Sequence, residues 1–190
     1  MKNNSLKLAA ALALAASPML AGPAFAGAAE DAFASFHDFC GTQGVYQDAL
    51  SKADAAGWKT IDFSSDTMAG VAITDKASRN KVAGAEAMAL SVTRGTAGKP
   101  GDVINVSTCT VTSKADFKSV AKLASKWLAI DPASSTSAAV AFHYTPKDAG
   151  VTAVVAGGQN AALSGGGYMM LSVADKGNGL TMIDLVTLKR

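Results

Sequence analysis

The sequence predicts an α+β domain: one largely antiparallel sheet of up to eight strands with helices packed on one face. Three observations carry this. Short segments rich in β-branched residues or in strict alternation, such as Ala87–Arg94 and Val103–Val111, recur with turn residues between them. Two stretches of helical periodicity, one early and one central, each show a single apolar stripe. The third is an internal register: Cys40 and Cys109 are 69 residues apart, as are Trp58 and Trp127. The same shift carries Ile61-Asp62 onto Ile130-Asp131, and it predicts two αββββ halves.

Residues 1–26 read as a secretory signal peptide. Lys2 and Lys7 supply the positive flank and Leu8–Leu20 the apolar run. Ala24-Phe25-Ala26 places small residues where a signal peptidase reads them, so cleavage is expected before Gly27, leaving residues 27–190 as a single domain. The run is shorter than the roughly 20 apolar residues of a membrane span, and no transmembrane anchor is expected. A periplasmic or extracellular location follows. Losing Lys2 and Lys7 reduces 17 basic residues to 15, which balance the 15 acidic ones. A neutral chain lacks the cationic excess that displaces phosphate counterions, so nucleic acid is not an expected partner.

A helix is expected near Glu30–Cys40, where Phe33, Phe36 and Cys40 share a stripe. A second, near Gln43–Ala56, starts from Thr42 as candidate N-cap. Gly57 fits the left-handed residue that ends it, with Trp58 folding back onto Ala53. Strands are expected at Thr60–Phe63, Met68–Thr74, Ala87–Arg94 and Val103–Val111, the last two joined by a loop over Gly95–Asp102. Ser113 and Asp116 resemble a capping box for the clearest helix, whose apolar face is Phe117, Val120, Ala121, Ala124, Trp127 and Leu128. Asp131–Ser137 ends it in a loop. Four strands follow at Ala138–Thr145, Val151–Ala156, Tyr168–Ala174 and Leu180–Leu188, with tight turns at Lys147–Gly150 and Asp175–Gly179. Gly157–Gly167 reads as a small-residue loop with no packing signal.

An exported chain with two cysteines favours a Cys40–Cys109 disulfide. The competing reading is a reactive Cys40 activated by His37 at i, i+3. Ser-x-x-Lys, the nucleophile and base of serine β-lactamases, occurs at Ser78–Lys81 and Ser119–Lys122. Its companions are missing: Ser65-Asp66-Thr67 is a poor Ser-Asp-Asn, and no Lys-Thr-Gly is present. A Ser-His pair would have to use His37 or His143, and no Gly-x-Ser-x-Gly elbow accompanies them. Both read as partly exposed structural histidines. No ligand spacing for zinc or calcium is present, and Gly165-Gly166-Gly167 runs into a strand, so no cofactor is expected. Lys114, Lys118, Lys122 and Lys126 form an i, i+4 stripe that is either a solvated helix face or a contact for an acidic partner or lipid headgroups.

Phe36-x-x-x-Cys40, Ala53-x-x-x-Gly57-Trp58 and a second cysteine ahead of a Ser- and Asp-started helix resemble a group of small exported proteins of Gram-negative bacteria. That group has no established activity, so the resemblance implies no catalytic residue. The expected function is non-catalytic binding, of an envelope protein or a small ligand, through the uncovered sheet face or the Gly157–Gly167 loop. The alternative is a small envelope hydrolase with a Ser/His site.

Overall fold

The computed structural model describes residues 24–41, 46–62, 68–82, 87–148 and 150–190. The expected signal peptide up to residue 23, the Thr42 cap, Phe63 and Ser65-Asp66-Thr67 lie outside the described residues. Helix α1, Ala24–Cys40, runs across the expected cleavage site. Helix α2, Tyr46–Ala55, ends as its sequence predicts: Gly57 has φ +78°, its N–H donates to Asp54 and the Trp58 N–H donates to Ala53. Trp58 is then carried onto Phe39, ring to ring at 5.1 Å.

Strands β1 (Lys59–Ile61), β2 (Val71–Lys81), β3 (Met88–Lys99) and β4 (Asp102–Ser113) follow. β2 reaches well beyond the expected Thr74, because its charged residues find partners. Arg79 donates to Asp54 of α2 at 2.6 Å, and Asp75 accepts from Arg94 of β3 at 2.6 Å. The expected loop over Gly95–Asp102 is instead strand up to Lys99↔Asp102, closed by the two-residue turn Pro100-Gly101, with Gly101 at φ +90°. Gly95 looked like a breaker, yet it sits in the ladder because a β-carbon there would strike the backbone carbonyl of Ala72 beside the β2 bulge.

Helix α3, Phe117–Leu128, is capped by Asp116 alone, whose carboxylate accepts the Ser119 N–H at 2.8 Å; Ser113 is the buried last residue of β4. The remaining elements are β5 (Ser134–Ser135), β6 (Ala139–Lys147), β7 (Gly150–Ala153), α4 (Gln159–Ser164), β8 (Tyr168–Asp175) and β9 (Thr181–Lys189). The expected loop Gly157–Gly167 thus contains a helical turn and a half, anchored by buried Leu163.

All described strand pairs are antiparallel, in the order β1-β2-β3-β4-β9-β8-β6-β5, with β7 beside β6. The sheet therefore has nine strands. Each half runs helix, very short edge strand, then three longer strands toward the centre: α2-β1-β2-β3-β4 and α3-β5-β6-β8-β9. The second half departs from the expected αββββ order, with β7 and α4 inserted between β6 and β8, and the markers of the repeat are not equivalent. Cys40 ends α1 while Cys109 lies mid-strand in β4, and Trp58 follows α2 while Trp127 lies inside α3.

Strand alternation sorts the side chains into two layers. Val92, Cys109, Leu185, Leu171 and Phe142 are cross-strand neighbours, all buried beneath α1, α2 and α3. Burying each such aliphatic or aromatic side chain contributes roughly 1.5–3 kcal/mol. The disulfide joins the C-terminus of α1 to the centre of β4, with Cα atoms 5.6 Å apart, so Cys40 is no nucleophile. The next row faces away from the helices: Ser78, Ser91, Thr110, Asp184, Ser172 and Ala141.

Candidate functional site

Of the expected lysine stripe, Lys118, Lys122 and Lys126 are exposed on α3, while Lys114 precedes the helix in the β4–α3 connection. The stripe does not face open solvent uniformly, because a cleft borders each end of the helix. At the N-terminal end Lys114, Lys118 and Ser119 meet Asp175 and the Gly177–Gly179 turn around about 630 Å³. At the C-terminal end Lys122, Ser125 and Lys126 face Val154, Val155 and Gln159 across about 950 Å³, a volume at the upper end for small-molecule sites.

Local sequence builds both walls of the larger cleft. α3 stops at Ala129, held at φ 51° with its N–H on the Ser125 carbonyl. Pro132 cannot continue a helix, and the chain turns away to pair β5 with β6. Opposite, β7 leaves the sheet edge after the Val154 N–H bonds the His143 carbonyl at 2.8 Å, and a turn at Val155–Gly158 leads into α4. Ile130, Pro132, Val154 and Val155 give an apolar lining; Lys122, Lys126 and Gln159 supply donors, and Asp131 is the carboxylate of the lining. Val155 is 75% exposed, an apolar side chain left at the rim. The lysine stripe and the 157–167 segment, expected as separate candidates, therefore meet here.

The Ser/His candidates stay apart. Ser78 is buried on β2 with its hydroxyl 3.5 Å from that of Ser91. His143 is on β6, five strand positions away, or roughly 24 Å at about 4.8 Å per strand. Its ring lies edge-on to Tyr168 at 5.7 Å. His37 stacks edge-on against Trp127 at 5.4 Å, eight residues along α3 from Ser119 and so roughly 12 Å by helix rise. No hydrogen bond joins any of these serines to a histidine among the described residues, and no cluster there could hold a metal ion.

One residue escaped sequence reasoning. Asp184, in the middle of β9, points to the face opposite α1–α3. Thr110 of β4 donates to its carboxylate at 2.6 Å. Burial raises its pKa above the ordinary carboxylate range, opposed by that hydrogen bond and by Lys176. The signal was available: Met182, Asp184, Val186 and Leu188 alternate with Thr181, Ile183, Leu185 and Thr187, and Asp184 is the one charge among these eight otherwise apolar or hydroxyl-bearing residues. The architecture is a two-layer α+β domain with one sheet face free of α1–α3 and two clefts beside its central helix. No protein-family model matches the chain, and no curated protein or solved structure matches it.

Proposed function

We propose that the chain is an exported, non-catalytic binding protein of the cell envelope that takes a small ligand with an apolar body and an anionic head. The observation that carries this is the cleft of about 950 Å³, where an apolar lining lies below Lys122, Lys126 and Gln159. Concave apolar sites with a few placed polar groups are the usual form of small-molecule pockets. The signal-like N-terminus, the disulfide and the resemblance to small exported proteins support export. No helix among the described residues is long and apolar enough to cross a membrane. The separation of Ser78, Ser119, His37 and His143 gives a Ser/His hydrolase no support.

The test uses 8-anilinonaphthalene-1-sulfonate, an apolar body carrying one sulfonate. Saturable one-to-one binding to the purified chain is expected. Lys122→Glu with Lys126→Glu should weaken it roughly tenfold, two exposed attractions becoming repulsions. Unchanged affinity in the double variant would show that the dye sits elsewhere and would overturn the assignment.

A further inference from the structure

Three buried side-chain hydroxyls among the described residues have no hydrogen-bond partner within the protein: those of Ser113, Tyr144 and Thr187. A hydroxyl taken out of water with nothing to bond is costly, and native interiors leave few of them. The surroundings of Ser113 supply what is missing. Ser113 closes β4 and is 4% exposed. Strand alternation puts its side chain on the same face as Val111 and Cys109, the face to which Cys40 fastens α1. Thr181, its neighbour on β9, stands in the same row and is satisfied, its hydroxyl donating to the Ala115 carbonyl at 2.7 Å. Ser113 instead borders a small cavity beneath α1. Ala28 and Asp31 of α1, Ala87 and Met88 at the start of β3, and Ser113 and Lys114 enclose about 10 Å³ of space for the centre of a water molecule. That is room for one water and for no organic ligand.

The lining has the chemistry a water needs. Ala28 and Asp31 are three residues apart and so share a face of α1, which brings a carboxylate to the rim of the space that the Ser113 hydroxyl borders. A carboxylate only accepts and a hydroxyl can donate, so a molecule that does both joins them. A metal ion would find too few oxygens there, with Lys114 on the same lining. We propose that this cavity holds one structural water, which accepts a hydrogen bond from the Ser113 hydroxyl and donates one to the Asp31 carboxylate. Beside it Ala29 and Ala32, both 0% exposed, give α1 close packing but no directional contact. The disulfide fixes the C-terminal end of α1, and the water ties its first turns to the end of β4. This site is separate from the ligand cleft and does not depend on it.

Two measurements on the purified chain test this. In the isotopically labelled protein, magnetisation transfer from water should reach the methyl protons of Ala28, Ala87 and Met88 with the sign of a water that tumbles with the protein. In urea, Ser113→Ala should raise the unfolding equilibrium constant roughly fivefold, the loss of one net hydrogen bond. Were the hydroxyl dry, the same substitution would remove its penalty and stabilise the fold. Asp31→Ala should also destabilise, and the double variant should lose less than the product of the two effects, because both groups serve one water. No transfer to those methyls, a Ser113→Ala protein at least as stable as the unaltered chain, or two losses that multiply independently would each overturn the proposal.

Discussion

Removing the Cys40–Cys109 bond by the double substitution to alanine should cost roughly 4 kcal/mol of folding stability. The bond links residues 69 apart, and the chain-entropy model gives about that value for a closed loop of this length. The effect is expected to reside in the unfolded chain, since α1 has independent anchors. Phe33 and Phe36 each lie close to 6 Å from the Trp127 ring, at 6.0 and 6.2 Å. Replacing two cysteines that are 0% and 2% exposed leaves a small void, adding a little to the loss. For a domain of this size the melting temperature should fall by about 8–16 °C. Urea unfolding followed by tryptophan fluorescence reads the midpoint, and the folded baseline should be unchanged because Trp127 keeps its ring of neighbours. A loss below about 1 kcal/mol would refute the reasoning, since it would require the unfolded chain to hold residues 40 and 109 together without the bond.

Two further outcomes are expected. Asp116→Ala removes the α3 cap and should cost about 1 kcal/mol at neutral pH. The Ser119 N–H holds the Asp116 pKa below its ordinary value, so this stability is present above the unfolded carboxylate pKa and is lost as pH falls through the folded one. The difference between variant and unaltered chain should therefore shrink in acid, as urea midpoints taken on both sides of that range will show. Leu163→Ala should free α4: residues 157–167 resist limited proteolysis in the unaltered chain, more than Asp131–Ser137, and become the first site cut in the variant.

Where local chemistry decides structure, it could be read directly. The α2 stop at Gly57-Trp58, the amphipathic face of α3 and the alternation of β6, β8 and β9 all lie close to their expected positions. The disulfide followed from cysteine number and the expectation of an oxidising compartment. What was missed depends on contacts distant in sequence. Asp75 and Arg79 look like loop residues until Arg94 and Asp54 neutralise them. Gly95 looks like a break until Ala72 is seen to need its missing side chain. The short α4 owes its order to one leucine, too little for periodicity to register. Cleft walls drawn from α3 and the β7–α4 connection cannot be seen along one segment: the lysines and the 157–167 segment could each be named in advance, but not that they face one another.

The meeting of the two halves at β4 and β9 has a consequence for how the chain acquires its shape. Synthesis delivers the N-terminal half first, complete with both cysteines, whereas β9 emerges after all the other described strands. Until then the innermost strand of the first half is an edge, twelve residues long, with one row of amides and carbonyls unpaired and threonines alternating along it. A strand that long with an open edge is a template for any other chain in the same state. The oxidised first half therefore passes through a stage in which its most aggregation-prone surface is the one that will later lie at the centre of the sheet. Protection at that stage has to come from outside the molecule or from rapid arrival of its own second half.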